Sequence, residues 1–264
     1  MHKYTLITGA SRGLGFALAR ECAQRNHNLI LVSLPNENIQ EIASDLSIKY
    51  KIKTYAKEID LSNSQQRSLF IEWVLKSHFK INLLINNAGI GGTNQFSETS
   101  IDFFNTLINL NMTALIHLTL KILPELKKNK KANILNIASI AALNPIPYKT
   151  VYAASKSFIS TFSQGLNTEL RDTSVSISVA YPGGMETSPE ISKRMKTYKG
   201  LLKHSFLSVE LIAKECIDKT LKGNKNIYPG SITKISALIL NIIPTNIKLN
   251  IFRKRLKKEL EYHV

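Results

Sequence analysis

The sequence predicts an α/β fold, a doubly wound parallel sheet of seven strands in a single domain with a basic amphipathic C-terminal tail. Short apolar runs alternate with helix-length segments along the 264 residues. The runs are apolar throughout instead of alternating, as expected for parallel strands that helices cover on both faces. Right-handed strand–helix–strand crossovers then give a doubly wound sheet.

Seven segments have the length and apolarity of such strands. They are residues 4–8, 28–33, 53–57, 82–86, 133–138, 175–180 and 226–228. Helical periodicity predicts a first helix that ends near Asn26, and further helices over 37–50, 65–77, 101–126, 151–171 and 209–221. Since no linker or internal repeat divides this pattern, residues 1–231 are predicted to form one domain.

Composition excludes several classes of protein. Hydrophobic residues make up 44% and charged residues 20%, an ordinary globular balance. Cys22 and Cys216 are isolated, which indicates reduced, buried thiols of a cytosolic protein. The six histidines have no paired metal-ligand spacing, so no metal is expected. Neither a signal peptide nor a long uninterrupted apolar segment is visible.

The net charge of +16 arises from 35 Lys and Arg against 19 Asp and Glu. Such a field attracts polyanions, including nucleic acid, anionic lipid and phosphorylated cofactors. No arginine-rich arm or aromatic-interleaved basic strip is present. We therefore expect no nucleic-acid partner, and interpret most lysines as a solvated surface.

Residues 232–264 form a C-terminal extension of different character. An apolar segment over 235–243 is interrupted by Pro244, and a basic segment follows over 248–261. The basic cluster consists of Arg253, Lys254, Arg255, Lys257 and Lys258, and the helically spaced apolar residues are Leu249, Phe252, Leu256 and Leu260. A basic amphipathic helix can lie on an anionic membrane, or pack on a partner subunit or on its own core. We favour packing for the apolar part.

A glycine-rich turn lies between the first strand and the first helix. Gly9 permits a tight turn, Gly13 lets backbone amides approach a pyrophosphate, and Gly15 lets the helix pack close to the sheet. The helix dipole then faces the phosphates. The spacing departs from G-x-G-x-x-G. Ser11, Arg12 and Leu14 belong to the same predicted phosphate-binding turn.

The motif TGASRGLG at 8–15 resembles the cofactor turn of the short-chain dehydrogenase/reductase family, and later motifs follow in that family's order. They are Asp60-Leu61, Asn86-Asn87-Ala88-Gly89, Asn111, and Pro182-Gly183 with Thr187. The resemblance covers about residues 3–230 and implies a Rossmann-type fold with a nicotinamide cofactor. It places Asp60 and Leu61 near the adenine, Asn87, Ala88 and Gly89 along the cofactor, and Pro182, Gly183 and Thr187 around the nicotinamide.

The end of the second strand bears on which cofactor is used. NAD-specific relatives usually carry an acidic residue near the position of Ser33, and none is present at 33–35. Arg12 stands where NADP-preferring relatives carry a basic residue, which can pair with a 2′-phosphate. Leu34 departs from the second arginine of many NADP users. NADP(H) is therefore favoured, and NAD(H) is not excluded.

The reacting groups implied by the resemblance are Ser139, Tyr152, Lys156 and Asn111. Tyr152 and Lys156 share one helix face at i and i+4. A phenol needs a neighbouring cation to act as an acid–base near neutral pH. In the implied mechanism Ser139 polarises the carbonyl, Tyr152 transfers the proton, and Lys156 lowers the tyrosine pKa and holds the nicotinamide ribose. Asn111 would position a water that links Lys156 to solvent.

The substrate is expected to contact a lid at about 185–207 and the residues after Ser139, such as Ile140, Leu143 and Pro145. The apolar and basic side chains of the lid suit a hydrophobic carbonyl or alcohol, such as a fatty-acyl or steroid-like molecule with an acidic handle. The chain is similar to broad-specificity bacterial reductases of the family, and a 3-oxoacyl thioester reductase is a narrower option. A non-catalytic NADP(H)-sensing or membrane-associated module is the alternative function. The resemblance also implies a homodimer or homotetramer, and we expect a cytoplasmic protein, peripheral to a membrane if the tail binds one.

Overall fold

The computed structural model describes residues 3–185 and 207–261. Within them lies one seven-stranded sheet with the order β3-β2-β1-β4-β5-β6-β7, and every neighbouring pair is parallel. The strands are β1 (Tyr4–Thr8), β2 (Asn28–Ser33), β3 (Thr54–Glu58), β4 (Ile81–Asn86), β5 (Ala132–Ile137), β6 (Val175–Ala180) and β7 (Asn226–Ile227). The predicted doubly wound sheet is confirmed, with strand ends displaced by one residue where they differ.

The helices of the first half are α1 (Gly13–Gln24), α2 (Ile39–Tyr50), α3 (Ser64–Lys76), α4 (Ile101–Ile108) and α5 (Leu115–Lys127). Those of the second half are α6 (Thr150–Glu169), α7 (Val209–Leu221), α8 (Ser231–Ile242) and α9 (Thr245–Glu261). Short 3-10 turns cover Phe96–Glu98 and Ile140–Leu143.

The core lies on both faces of the sheet, which explains why the inner strands are mostly apolar. The edge strand β3 differs from the prediction, because it is partly exposed and contains Lys57 and Glu58. On one face α1, α2 and α7 pack against the strands, and on the other face α3 and α5 do so. Cys22 and Cys216 are fully buried and free in the first cluster, as predicted. Burial raises the pKa of each thiol to about 12, so both are inert at neutral pH.

The predicted continuous helix over 101–126 is interrupted. A π-helical turn at Asn109–Ala114 separates α4 from α5 and contains Asn111. Periodicity did not reveal this turn, because the segments on either side of it, α4 and α5, each keep ordinary helical spacing. Judged by length and composition alone, Ile101–Lys127 is apolar enough to cross a membrane. Here its apolar side packs in the core through Leu107, Leu118 and Ile122.

The C-terminal tail folds back on the sheet's carboxyl edge. Pro244 separates α8 from α9, and the basic helix begins at Thr245, earlier than the predicted residue 248. Lys248 is buried, and its Nζ donates to Asn144 Oδ1 at 2.5 Å and to the Leu240 carbonyl at 2.9 Å. This lysine therefore joins α8, α9 and the loop that follows β5. We refer to α8 and α9 together as the C-terminal hairpin.

Candidate active site

A cavity of about 970 Å³ opens at the carboxyl edge of the sheet. In doubly wound folds, ligands bind at this edge. The predicted residues that line it are Gly9, Ser11, Arg12, Gly13, Leu14, Gly15, Ser33, Leu61, Asn87, Ala88, Gly89, Ser139, Tyr152, Lys156 and Gly183. The cavity therefore joins the glycine turn at one end to the predicted reacting groups at the other.

The glycine turn requires glycine at three positions. Gly9 and Gly13 have φ of +64° and +54°, a region that side chains disfavour. A Cβ on Gly15 would lie 1.8 Å from the Gly9 carbonyl oxygen. Helix α1 thus begins directly against the strand end, with its N-terminal amides at the cavity. Amides and dipole so placed suit a phosphate group.

Thr8 and Asn87 hold this turn in place. The Asn87 side chain donates to the carbonyls of Thr8 and Gly9 at 2.9 and 3.0 Å. The Thr8 hydroxyl accepts from the backbone amides of Asn87 and Ala88, both at 3.0 Å. The side chain of Asn87 is therefore committed to the turn. Thr8 was absent from the predicted site, although it opens the TGASRGLG motif.

One acidic residue at the second strand was missed. The Glu37 carboxylate accepts from Ser11 Oγ at 2.5 Å and pairs with Arg12 at 3.1 Å. It lies in the cavity beside Ser33, so the premise that this corner holds no acid is wrong. Glu37 comes four residues after the strand, where the chain turns back through Asn36 and Asn38 at positive φ. Inspecting residues 33–35 alone does not reveal it.

Of the two residues predicted to contact the adenine, only Leu61 lies in the cavity wall. Leu61 lines the cavity, together with Ile59, which was not predicted. Asp60 is outside the lining, and its carboxylate instead accepts from the amide and hydroxyl of Ser62 at 2.8 and 2.7 Å. In this structure Asp60 therefore closes the turn that leads into α3.

Ser139, Tyr152 and Lys156 converge at the other end of the cavity. Ser139 Oγ accepts from the Ala141 amide at 3.1 Å. Burial raises the pKa of Tyr152, while the neighbouring Ser139 hydroxyl opposes the shift. Lys156 Nζ lies 5.9 Å from the tyrosine ring centre and donates to the Ile137 carbonyl at 3.0 Å.

Lys156 is buried, and burial lowers its pKa from 10.5 to about 8. A lysine with this pKa is mostly protonated at neutral pH and loses its charge within an accessible pH range. The cation next to Tyr152 is thus poised to stabilise a phenolate.

Asn111 lies behind this group, outside the cavity lining. Its Oδ1 accepts from the Ile90 amide at 2.9 Å, and its Nδ2 donates to the Ile90 carbonyl at 2.9 Å and to Ser155 Oγ at 3.0 Å. These bonds commit the side chain to fixing the loop after β4 against α6. They hold the loop beside Lys156, the residue that follows Ser155.

The loop after β4 also approaches Tyr152 directly. A Cβ on Gly91 would lie 2.6 Å from the tyrosine ring, so only glycine lets this backbone pass. Lys149 donates to Thr93 Oγ1 at 2.5 Å and closes the loop against α6. Neither Gly91 nor Lys149 was predicted, and both line the cavity.

The predicted substrate region is met in part. Ile140 lines the cavity, whereas Leu143 and Pro145 do not and Ile146 does. Pro182 is buried, and its carbonyl accepts from the Ile140 amide at 3.0 Å. Thr187 and the lid residues 186–206 lie outside the described residues.

The C-terminal hairpin forms one wall of the cavity. Its lining residues are Thr233, Ser236, Phe252, Arg255 and Leu256. No motif marks these positions, since their place in the site depends on how the tail folds back.

The family profile described as short chain dehydrogenase matches residues 3–197. The chain belongs to the short-chain dehydrogenase family. It is therefore an oxidoreductase that transfers hydride between a nicotinamide cofactor and a carbonyl/alcohol pair, as predicted.

Two curated relatives of this dehydrogenase illustrate the family. The chain is 31% identical over 257 residues to 17-beta-hydroxysteroid dehydrogenase type 3 of Mus musculus, covering 94% of the chain and 78% of the relative. It is 28% identical over 253 residues to very-long-chain 3-oxoacyl-CoA reductase-A of Danio rerio, with 94% and 78% covered. Both likenesses extend into the C-terminal part.

A solved relative has the same overall structure. A short-chain dehydrogenase from Sphingobium yanoikuyae in complex with NADPH superposes with a TM-score of 0.77 at 26% identity. The alignment covers 92% of this chain and 96% of that protein.

Proposed function

We propose that this dehydrogenase uses NADP(H) to interconvert a hydrophobic ketone or aldehyde and its alcohol. The observation that carries the proposal is the convergence of Ser139, Tyr152 and Lys156 at one end of a cavity whose other end is the glycine turn. This arrangement places a proton donor beside a site that accepts a dinucleotide.

The residues of the cavity fit a nicotinamide dinucleotide. The pyrophosphate would bind at the amides of 13–15, where the geometry at Gly9 and Gly15 leaves the helix terminus accessible. Ile59 and Leu61 offer an apolar contact for the adenine, and Ala88 and Gly89 line the path between the two ends. Lys156 would hold the nicotinamide ribose. The bound nicotinamide supplies or accepts the hydride.

The chain's own groups carry the proton. Ser139 Oγ donates a hydrogen bond to the substrate oxygen and polarises the carbonyl. Tyr152 gives its proton to that oxygen during reduction and takes it back during oxidation. Lys156, protonated below a pKa of about 8, stabilises the phenolate that results.

Asn111 contributes through position. Since its side chain is committed to Ile90 and Ser155, the proposed water that joins Lys156 to solvent would be held by the backbone of the π-helical turn. π-helical turns interrupt the regular hydrogen-bond ladder and are frequent at functional sites. The side chain keeps the loop after β4 in register with α6.

The preference for NADP(H) is supported by Arg12 and by the NADPH complex of the Sphingobium yanoikuyae relative. Glu37 opposes a preference for NADP(H), because its carboxylate already pairs with the Arg12 guanidinium that would bind a 2′-phosphate. The Arg12 side chain is 81% exposed, so solvent screens this pair and a phosphate can displace it. NAD(H) is accepted in the same cavity with a lower affinity.

A hydrophobic substrate is supported by the apolar residues Ile140, Ile146, Phe252 and Leu256, which line the same cavity as Tyr152. Arg255 in that wall suits an acidic handle. One relative is named for a fatty-acyl thioester and another for a steroid, and both are large apolar carbonyl compounds.

The proposal extends to assembly and location. We propose a catalytic domain over 1–231 and an extension over 232–264 that completes its cavity. Ile101, Ile108 and Leu120 are exposed on the α4–α5 segment and support a homodimer or homotetramer. We propose a cytoplasmic enzyme that is peripheral to an anionic membrane through the tail.

Replacing Tyr152 with Phe tests the reaction. We expect Y152F to lose about 100-fold or more of carbonyl reduction, because the proton donor is removed. Fluorescence titration should give an unchanged NADPH dissociation constant. Turnover that survives in Y152F would contradict the proposed role of Tyr152. Wild-type protein that binds NADPH but reduces no carbonyl compound would instead favour the non-catalytic binding module.

The pH dependence tests Lys156. The rate constant for carbonyl reduction should fall as pH rises through about 8, because the lysine loses the charge that stabilises the phenolate. Steady-state kcat/KM is measured between neutral and alkaline pH. In K156R the falling limb should move to higher pH, since guanidinium stays charged. A limb at the same pH in K156R would assign the titration to another group.

A further inference from the structure

The outer side of the C-terminal hairpin carries a row of large apolar side chains. On α8 these are Ile235, Leu238, Ile239 and Ile242, which are 49–82% exposed at i, i+3, i+4 and i+7 spacing. On α9, Ile247 and Ile251 are 52% and 53% exposed at i and i+4. We call these six residues the hairpin face.

Helix α8 reverses the usual arrangement of an amphipathic helix. Its buried residues are the small Thr233 and Ala237, and Ser236 lines the cavity. A helix that only covers its own core buries its largest apolar residues and exposes its polar ones. An exposed apolar row of this kind marks an interaction surface.

The charge of the hairpin indicates what binds there. Residues 231–261 contain seven Lys or Arg and two Glu. Lys234, Arg253, Lys254 and Lys257 are exposed on the same two helices. Two copies meeting through this face would bring like charges together, in a chain whose net charge is already +16. An anionic lipid surface satisfies both the apolar row and the cations.

The length of the hairpin fixes how it meets a bilayer. Helix α8 has 12 residues, roughly 18 Å at the usual rise, against about 30 Å of hydrocarbon. Helix α9 is longer, but it carries the basic cluster along its length. Such helices lie in the interface plane and do not span.

We propose that the hairpin face docks on an anionic lipid bilayer. The six apolar side chains enter the boundary between headgroups and acyl chains, while the lysines and arginines contact anionic headgroups. The opposite sides of these helices line the active-site cavity through Ser236 and Phe252. A hydrophobic substrate therefore reaches the cavity from the lipid, a consequence that rests on the proposed function.

The test is co-flotation of the full chain with phosphatidylcholine vesicles, with and without phosphatidylglycerol. Wild type should bind the vesicles that contain phosphatidylglycerol and be released partly by salt, because the cations are screened. I239S/I242S should lose about tenfold or more of the vesicle partition coefficient. The matched control is I48S, which removes an isoleucine that is 75% exposed on α2 and should bind as wild type does.

Failure to bind anionic vesicles, or an equal loss in I48S, would overturn the proposal. Sedimentation without lipid tests whether a second copy of the chain covers the hairpin face. If wild type is a dimer and I239S/I242S is a monomer, the face is a dimer interface and the proposal is wrong. NADPH binding reports folding of each variant. The rate of reduction of a water-soluble ketone should be the same in I239S/I242S as in wild type. Absence of this reaction in wild type would contradict the proposed function, whereas absence of vesicle binding would contradict only the membrane proposal.

Discussion

The two ends of the cavity are built in different ways. The glycine turn is a local structure in which consecutive residues of one motif make the whole surface, and Thr8 and Asn87 fix it through four hydrogen bonds. The hairpin wall is formed by residues more than 200 positions after the glycine turn in the sequence. The buried Lys248 joins this wall to the loop after β5. The glycine turn has no room for an added side-chain atom at Gly15. The position of the hairpin wall instead depends on a few tertiary contacts.

The largest effect is expected from Gly15→Ala. The new methyl group would lie 1.8 Å from the Gly9 carbonyl, so either the turn or α1 must move. Overpacking of this severity costs about 3 kcal/mol or more, and we expect G15A to lose detectable cofactor binding. Denaturant unfolding and NADPH titration measure both losses.

Gly165→Ala is its matched control. Gly165 is an exposed glycine inside α6, and a Cβ there meets nothing within 4 Å. The substitution should stabilise the protein by about 0.5–1 kcal/mol and leave cofactor binding unchanged. Equal stability and equal NADPH binding in the two variants would mean that the close packing at Gly15 does not constrain the glycine turn.

A smaller and more selective effect is expected from Lys248→Met. The change leaves Asn144 Oδ1 and the Leu240 carbonyl without their donor, at a cost of about 1–3 kcal/mol. KM for the carbonyl substrate should rise about fivefold, equivalent to about 1 kcal/mol, whereas the NADPH dissociation constant should stay constant. Steady-state kinetics and titration separate the two quantities.

Lys254→Met provides the control on the same helix, because Lys254 is exposed. It should match wild type in lipid-free assays. If K248M weakened cofactor binding as much as substrate binding, the cavity would behave as one cooperative unit and the contrast between its ends would fail.

The smallest effect is expected from Glu37→Gln. Removing the carboxylate frees Arg12 and removes repulsion of a 2′-phosphate, so NADPH should bind about three- to tenfold more tightly. NADH binding should change little. The two dissociation constants are compared with those of E41Q, an exposed carboxylate further along α2. Weaker NADPH binding in E37Q would show instead that Glu37 positions Arg12 for the phosphate.

Sequence patterns predicted the sheet, and the family resemblance supplied the expected reacting groups. The inner strands are buried and parallel, so they form apolar runs with sharp ends, whereas the edge strand β3 is partly exposed and more polar. Three of the seven strands were predicted to the residue. Tyr152 and Lys156 were expected from the family resemblance, which their helical spacing supports, and the glycine turn is visible in consecutive residues. These signals lie in short segments of sequence, although the side chain that fixes the turn, Asn87, comes from a distant strand end.

Tertiary structure decided the rest. Glu37 reaches Ser11 and Arg12 because the chain reverses after β2, and Asp60 turns to Ser62 instead of entering the cavity. The π-helical turn places Asn111 against Ile90, and the hairpin brings Phe252 and Arg255 to the substrate end. These contacts join distant parts of the chain, and their free energies depend on how whole elements pack, which local periodicity does not encode.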